Sequence, residues 1–309
     1  MTLELKVPRG YSLLSSVHSW IYPDIQPVPE RTGCTSFARM YDVDEERVGV
    51  IVEQRAPGRR VSVKCSSESV SKGHLLAKLV EVLGLDISMS AAIKAIEEDP
   101  LIFDIAPSVR GIQPYLSPSV YEALVKTIIQ QQISYRAANI LTRRMVLELS
   151  ERISFENCDL FSFPSPADIL TCGTDGLRAL GFGYKADYIH GVAKLVRDEE
   201  LRLEELKGRC FEEVLEALKP IRGIGIWTVK TLAIAGLGDY TVFPYDDLGV
   251  RNLMGRLYKR NGQKMSSTEV KAFAQRWKKE WPLVLYLLMS ADVLGLLGEE
   301  GRQQMHKRS

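Results

Sequence analysis

Two carboxylates stand side by side in the segment VFPYDDLGV, Asp246 and Asp247, and some twenty residues upstream the chain reads IRGIGIWTVK. Adjacent residues at a helix start point in different directions, so this pair does not form the shared acid/base dyad of two converging carboxylates. On local chemistry alone, one is an N-cap and the other a favourable charge near the positive end of a helix. Upstream, Gly223 and Gly225 permit positive φ and close backbone approach, and the helix that follows presents unpaired N–H groups, a combination that suits a phosphate. A plain αα-hairpin turned by glycines is the competing reading. A nucleotide-binding G-x-G-x-x-G fits worse, because the third glycine is absent and no strand precedes the corner.

The elements that position these groups fall into two regions. Residues 1 to about 70 are β-rich: CTSFARMY and RVGVIVEQ flank the acidic turn Asp42 to Glu46, and RRVSVKC follows the turn signal Ala56-Pro57-Gly58 with Val61, Val63 and Cys65 on one face. This predicts an antiparallel meander. Leu75, Leu76, Leu79, Val80 and Leu83 recur at helical spacing up to Gly84, which predicts a helix packed on that sheet. The segment DPLIFDIAPSVRGIQPYLSP holds four of the fourteen prolines and reads as a connector. Beyond it strand signals nearly vanish. Ser117 and Pro118 read as an N-cap and N1 pair for a helix bearing Tyr121, Leu124, Val125, Ile128 and Ile129 on one stripe. Further helices are predicted near 135–150, 166–172, 175–180, 185–198, 210–218, 226–236, 247–260, 267–279 and 282–297.

Composition narrows the classes. With 309 residues, 45% hydrophobic and 26% charged, the chain has an ordinary globular make-up, and 40 basic against 39 acidic residues means that any basic surface is local. Leu3, Leu5 and Val7 alternate as in a strand, without the order of a signal peptide, so an intracellular, cytoplasmic protein is expected. Cys34, Cys65, Cys158, Cys172 and Cys210 form no C-x-x-C pair, and with four histidines there is no zinc or iron-sulfur spacing; reduced thiols, mostly in the core, are expected. WPLVLYLLMSADVLGLLG contains Pro282 and Asp292 and reads as a buried helix, with no membrane role.

Taken whole, LKPIRGIGIWTVKTLAIAGL resembles the helix-hairpin-helix of the base-excision-repair glycosylase superfamily. VYEALVKTIIQQQISYRAANILTRRM resembles the segment with which that family probes a duplex, and LRALGFGYKADYIHGVAKLV its G-x-x-x-K-A-x-x-I helix start. With the β-rich N-terminal part the likeness is to AlkA-like DNA-3-methyladenine glycosylases, across residues 110–295 and more loosely 1–110. The resemblance implies an α+β fold: a mainly α helix-hairpin-helix glycosylase with a small antiparallel-sheet domain at 1–110 and an all-α region at 111–309, whose two subdomains flank a cleft. It implies excision of alkylated bases from duplex DNA, the enzyme acting as a monomer associated with the nucleoid, with an abasic-site endonuclease downstream. Within the superfamily the alternative is a glycosylase for deaminated or oxidised purines; outside it, a non-catalytic DNA-binding protein that keeps the hairpin.

Carried over residue by residue, Asp247 is the catalytic carboxylate and Asp246 the structural one. A carboxylate suits the reaction, because breaking an N-glycosidic bond builds positive charge on the sugar. Bifunctional members attack with a lysine two residues past the second hairpin glycine, where this chain has Trp227; Lys230 lies further along on another face. That implies a water-using, monofunctional enzyme. Gly223, Ile224 and Gly225 would hold the DNA backbone, Gln132 would fill the gap left by the extruded base with Gln131 beside it, and Gln130, Tyr135, Trp227, Thr231 and Ser290 would line the base pocket. Where AlkA-like relatives carry an apolar wedge, this chain has glutamine. The resemblance implies no required cofactor, and an optional sodium or potassium ion on the carbonyls of Lys219, Ile221 and Ile224. Trp277, Trp281 and Tyr286 read as helix-packing residues.

Overall fold

Alternating Val48, Val50 and Val52 on one strand and Val61, Val63 and Cys65 on its neighbour put a continuous apolar row on one face of a sheet, and all six are buried. A computed structural model describes residues 1–56, 58–259 and 262–297; Pro57 of the expected turn, Arg260 at the end of an expected helix and Gly298 lie outside them. Strands β1 (Thr2–Tyr11), β2 (Arg31–Thr32), β3 (Ser36–Val43), β4 (Glu46–Glu53) and β5 (Gly58–Cys65) form one antiparallel sheet in the order β1-β5-β4-β3-β2, with Val52 opposite Val63. Helices α1 (Leu13–His18) and α2 (Lys72–Val82) cover its inner face through Leu13, Val17, Leu75, Leu79 and Val82.

The outer face is also covered. β6 (Arg152–Phe155) and β7 (Cys158–Phe161) form a hairpin that sequence reading misses, and its Leu160 packs on Ala38, Met40 and Ile51. The contact is close enough that a Cβ at Gly49 would lie 2.9 Å from Leu160. The hairpin is hard to see because its turn residues, Glu156 and Asn157, take positive φ without a glycine between two four-residue strands.

The rest is helical: α3 (Ser90–Glu97), α4 (Ala106–Val109), α5 (Val120–Gln130), α6 (Tyr135–Leu149), α7 (Pro166–Ala179), α8 (Lys185–Arg197), α9 (Phe211–Leu218), α10 (Ile226–Leu232), α11 (Leu248–Tyr258), α12 (Ser267–Ala274) and α13 (Trp281–Val293). α10 runs on into a π-helical turn, Ala233–Leu237. Two expectations need correction here. Ser119, not Ser117, caps α5, its Oγ accepting from the Glu122 N–H. The proline-rich connector contains the 3-10 turn Phe103–Ile105 and α4, with Pro107 in the first turn, where a missing N–H is tolerated. The expected break between 166–172 and 175–180 is a kink at Gly173, where φ is 69°.

Two apolar clusters divide the helices. One runs from α5 through α10; the other joins α3 and α4 to α11, α12 and α13, so the apolar side chains of residues 89–112 pack with the C-terminal helices, while the Gly111 carbonyl accepts from the Ser12 N–H (2.8 Å) beside the end of β1. Trp277 is buried and donates to Asp99 (3.0 Å). Of the five cysteines only Cys65 is buried: Cys34 and Cys210 are exposed, correcting the expected core placement, since one lies in a loop and the other caps α9. Among the described residues no helix is long and apolar enough to cross a membrane.

A buried ion cluster ties the sheet to α5. Arg39 on β3 reaches Glu30 (2.9 Å) and Glu122 (2.8 Å), and Lys126 reaches the same two carboxylates (2.9 and 2.6 Å). Burial pushes the Glu122 carboxyl up, but Arg39 and Lys126 outweigh it and hold the group below the usual glutamate range.

Candidate active site

The hairpin between α9 and α10 is built on two glycines with different tasks. At Gly223 φ is +90°, and a Cβ there would lie 2.4 Å from the Tyr188 ring, so a side chain is excluded twice over. Gly225 precedes α10 and is exposed, and a Cβ added there would meet nothing within 4 Å, so the space beside it is open to a ligand. Ile224 between them is buried and its N–H donates to the Ile221 carbonyl (3.1 Å), pinning the corner to the core; Ile226 just beyond is half exposed. Lys219, exposed at the end of α9, begins the segment.

From α10 the chain returns through a loop to the head of α11. The loop is held by buried Phe243, by the Tyr245 N–H on the Phe243 carbonyl (2.8 Å) and by the Asp247 N–H on the Pro244 carbonyl (2.9 Å). The two carboxylates then diverge. Asp246 pairs with Lys230 Nζ (2.9 Å), which also sits 4.1 Å from the centre of the Tyr245 ring. Asp247 caps α11: its Oδ1 accepts from the N–H groups of Gly249 (2.7 Å) and Val250 (3.3 Å), and its Oδ2 accepts from the Trp227 indole N–H (2.9 Å). Of the pair, Asp247 is therefore the N-cap and also meets the hairpin helix through Trp227, while Asp246 is taken up by Lys230. Among the described residues Asp247 has no cationic partner.

The turn between α5 and α6 separates its three glutamines. Gln132 is exposed with φ 57°, and its Oε1 accepts from the Tyr184 hydroxyl (3.2 Å). Gln131, expected to contact DNA beside it, is turned inward: its Nε2 donates to the Gly223 carbonyl (2.7 Å) and to Thr228 Oγ1 (3.0 Å). Gln130 and Tyr135 line a cavity of about 40 Å³ together with Trp20, Glu30, Lys126 and Asn139. Trp227, Thr231 and Ser290 are not part of that lining. Thr231 and Ser290 are buried and donate back along their own helices, to the carbonyls of Trp227 and Tyr286 (2.9 Å each), as small hydroxyls in helices do. The expected pocket residues thus divide three ways: Gln130 and Tyr135 line the cavity, Trp227 stands half-buried against Asp247, and Thr231 and Ser290 are buried in α10 and α13.

Sequence reasoning also misses an aromatic group. Trp20 and Tyr22, from the segment SWIYP after α1, meet Tyr135, and Trp20 meets Tyr286. The Tyr135 hydroxyl donates to the Trp20 carbonyl, and the Trp20 indole donates to the Tyr286 hydroxyl (2.8 Å). Burial pushes both tyrosine hydroxyls above their usual range. Tyr286 is therefore more than a packing residue: its hydroxyl also receives the Tyr115 N–H (3.3 Å) and joins three segments. Two aromatics in a short proline-containing loop are the available signal.

Comparison with known proteins places this geometry. The chain is 31% identical to YfjP of Bacillus subtilis over 54% of its own length and 57% of that protein's. It is 26% identical to the DNA-3-methyladenine glycosylase of Bacillus subtilis over 69% of its length and 70% of the relative's. The chain thus spans little more than half of the first relative. Among solved structures, the 3-methyladenine DNA-glycosylase from Archaeoglobus fulgidus superposes with a TM-score of 0.83 at 29% identity, covering 95% of this chain and 99% of that one. The mostly helical fold with its small antiparallel sheet is that of a helix-hairpin-helix glycosylase. Since residues 125–280, half of the chain, match its family profile, the protein belongs to the HhH-GPD superfamily of base excision DNA repair proteins.

Proposed function

We propose that the chain is a monofunctional DNA glycosylase that hydrolyses the N-glycosidic bond of alkylated bases, of the 3-methyladenine and 7-methylguanine type, once they are swung out of duplex DNA. The observation that carries this reading is the setting of Asp247, whose oxygens accept only from neutral N–H donors and which no cation neutralises among the described residues. Neutral donors orient the carboxylate and leave its charge available to the cation that develops on the deoxyribose, and the same group can orient water. An N-alkylated purine already carries positive charge, so one aspartate suffices for its departure. The Bacillus subtilis and Archaeoglobus fulgidus relatives named for 3-methyladenine support this substrate class.

The open backbone at Gly225 is the phosphate grip, and Gln132 at the tip of the α5–α6 turn fills the gap left by the base. Trp227, held at Asp247, offers an aromatic face to a cationic base, an attraction of roughly 0.5–2 kcal/mol. The hairpin carbonyls of Lys219, Ile221 and Ile224 suit a hard monovalent cation, although Ile221 already accepts one N–H, and the ion is optional in this scheme. The abasic product passes to an endonuclease. With Trp227 in the place of the lysine nucleophile, borohydride is expected to trap no covalent DNA adduct.

The test is Asp247→Asn in single turnover on methylated duplex. Release of base should fall on the order of 10²–10³-fold, about 3–4 kcal/mol, with duplex binding retained. Asp246→Asn should cost far less, because asparagine still accepts from Lys230. Full activity in both variants would overturn the reading; a dead Asp246 variant would move the catalytic role by one residue. A panel of deaminated and oxidised purines separates the other substrate class, and binding without release by the wild type would identify a non-catalytic protein.

A further inference from the structure

Adjacent residues at the end of α5 do opposite things. Gln131 is half-buried and commits its amide nitrogen to the hairpin, 2.7 Å from the Gly223 carbonyl and 3.0 Å from Thr228 Oγ1. The Gly223 oxygen only accepts, which fixes the amide with its nitrogen toward the hairpin. Gln132 is exposed in left-handed conformation, and its Oε1 accepts from the Tyr184 hydroxyl. One residue is riveted to the phosphate grip, and the next, one peptide away, projects from the surface.

The rivet joins parts that are already stiff. The end of α5 is held a second time by Lys185, whose Nζ donates to the Ile129 carbonyl (2.6 Å). Gly223 is boxed in by the Tyr188 ring, over which Arg222 lies with its guanidinium carbon 5.9 Å from the ring centre. Little slack remains between the hairpin peptide and the Gln132 backbone. We propose that Gln131 is a positioning residue: it sets the distance and angle between the hairpin's hold on a phosphate and the side chain at 132, so that gripping the backbone aims Gln132 at the gap in the stack. This rests on the functional reading above for the role of Gln132, and it assigns Gln131 no contact with DNA.

The consequence is a coupling between two neighbouring side chains that do not touch the same partner. Gln131→Glu is isosteric, removes the donor and sets a carboxylate oxygen against the Gly223 carbonyl. The readout is a duplex carrying a tetrahydrofuran abasic analogue with 2-aminopurine opposite it, whose fluorescence rises when a side chain enters the stack. No bond is broken, so a protein inactive on alkylated bases still answers. Expected, with protein in saturating excess over the duplex and below the melting temperature of each variant, are a fluorescence rise with the wild type, its loss in Gln132→Ala, and its loss in Gln131→Glu even where the duplex is fully bound. In the double variant no further change should appear, since an already misaimed side chain has nothing left to lose. Additive losses, a normal rise in Gln131→Glu, or no rise with the wild type would each overturn the proposal. If Gln131→Glu fails to fold, Gln131→Met removes the same hydrogen bonds without charge and is judged by the same criteria.

Discussion

Beneath the sheet, Glu30 and Glu122 each meet a guanidinium and an ammonium; at the head of α11, Asp247 meets three N–H groups and no cation among the described residues. The first pair is almost wholly buried, at 1% and 3% exposure, where an uncompensated charge is intolerable and neutralisation is a condition of folding. Asp247 is half-buried, so water and local dipoles can carry its charge without a counter-ion. Carboxylates in one chain therefore differ according to what surrounds them: paired with cations they fasten elements together, and held by neutral donors Asp247 keeps an uncompensated negative charge, the one that the proposed function directs at the substrate.

Removing the cation from the buried cluster should have the larger effect. Arg39→Met keeps much of the volume but leaves Glu30 and Glu122 with Lys126 alone, and loss of one partner from a buried ionic group costs about 3–5 kcal/mol. Chemical denaturation at neutral pH measures this directly. The pH dependence has a defined sign. In the wild type the Glu122 carboxyl is depressed, so its stabilisation is present above the ordinary glutamate range and lost as pH falls through the depressed value. Without Arg39 the upward push of burial on the Glu122 carboxyl loses its largest opponent, and the group holds its proton to higher pH. The gap between the two proteins should be widest near pH 7 and narrow toward about pH 4. A gap that does not change with pH would mean that Arg39 acts through packing alone.

The sequence discloses these two settings unequally. Regular apolar spacing reveals the sheet and most helices, and the Gly-x-Gly corner reveals the hairpin, because those features are local; the choice of Asp247 over Asp246 rests on the family resemblance. The ion cluster is invisible there: Glu30, Arg39 and Glu122 lie in unrelated segments, and only tertiary packing makes them partners. The same holds for Trp20 against Tyr135 and for Gln131, whose type predicts a surface contact while its partner lies 92 positions away. Family register assigns Thr231 and Ser290 to the pocket, but the register does not show that their hydroxyls donate to carbonyls of their own helices.

A middle-sized effect is expected from Trp227→Phe, which keeps a ring but deletes the N–H on Asp247. A hydrogen bond to a charged group is worth about 1.5–3 kcal/mol, and the two backbone donors remain to hold the carboxylate. Excision should fall by about tenfold with duplex binding unchanged, a loss of about 1.4 kcal/mol. No loss at all would show that the capping bonds alone orient Asp247. A loss as large as that of Asp247→Asn would show that the indole itself acts in the reaction.

The smallest effect should come from Lys230→Met. This lysine neutralises Asp246 and leaves Asp247 unpaired, so it is what makes the two adjacent carboxylates differ. Asp246 is about one-third exposed, and water can take over part of the lost ion pair, which limits the stability cost to about 1 kcal/mol. Excision should change by less than about threefold, because neither Asp247 nor its donors are touched. The variant also tests the water-using mechanism from the other side. Lys230 is the nearest lysine beyond the hairpin in sequence, and its Nζ is engaged with Asp246 and with the Tyr245 ring. If it were a nucleophile despite that, the wild type would give a borohydride-trapped adduct and Lys230→Met would abolish both the adduct and base release. Near-normal release without an adduct in either protein would confine Lys230 to holding Asp246 aside and leave the charge at the site to Asp247.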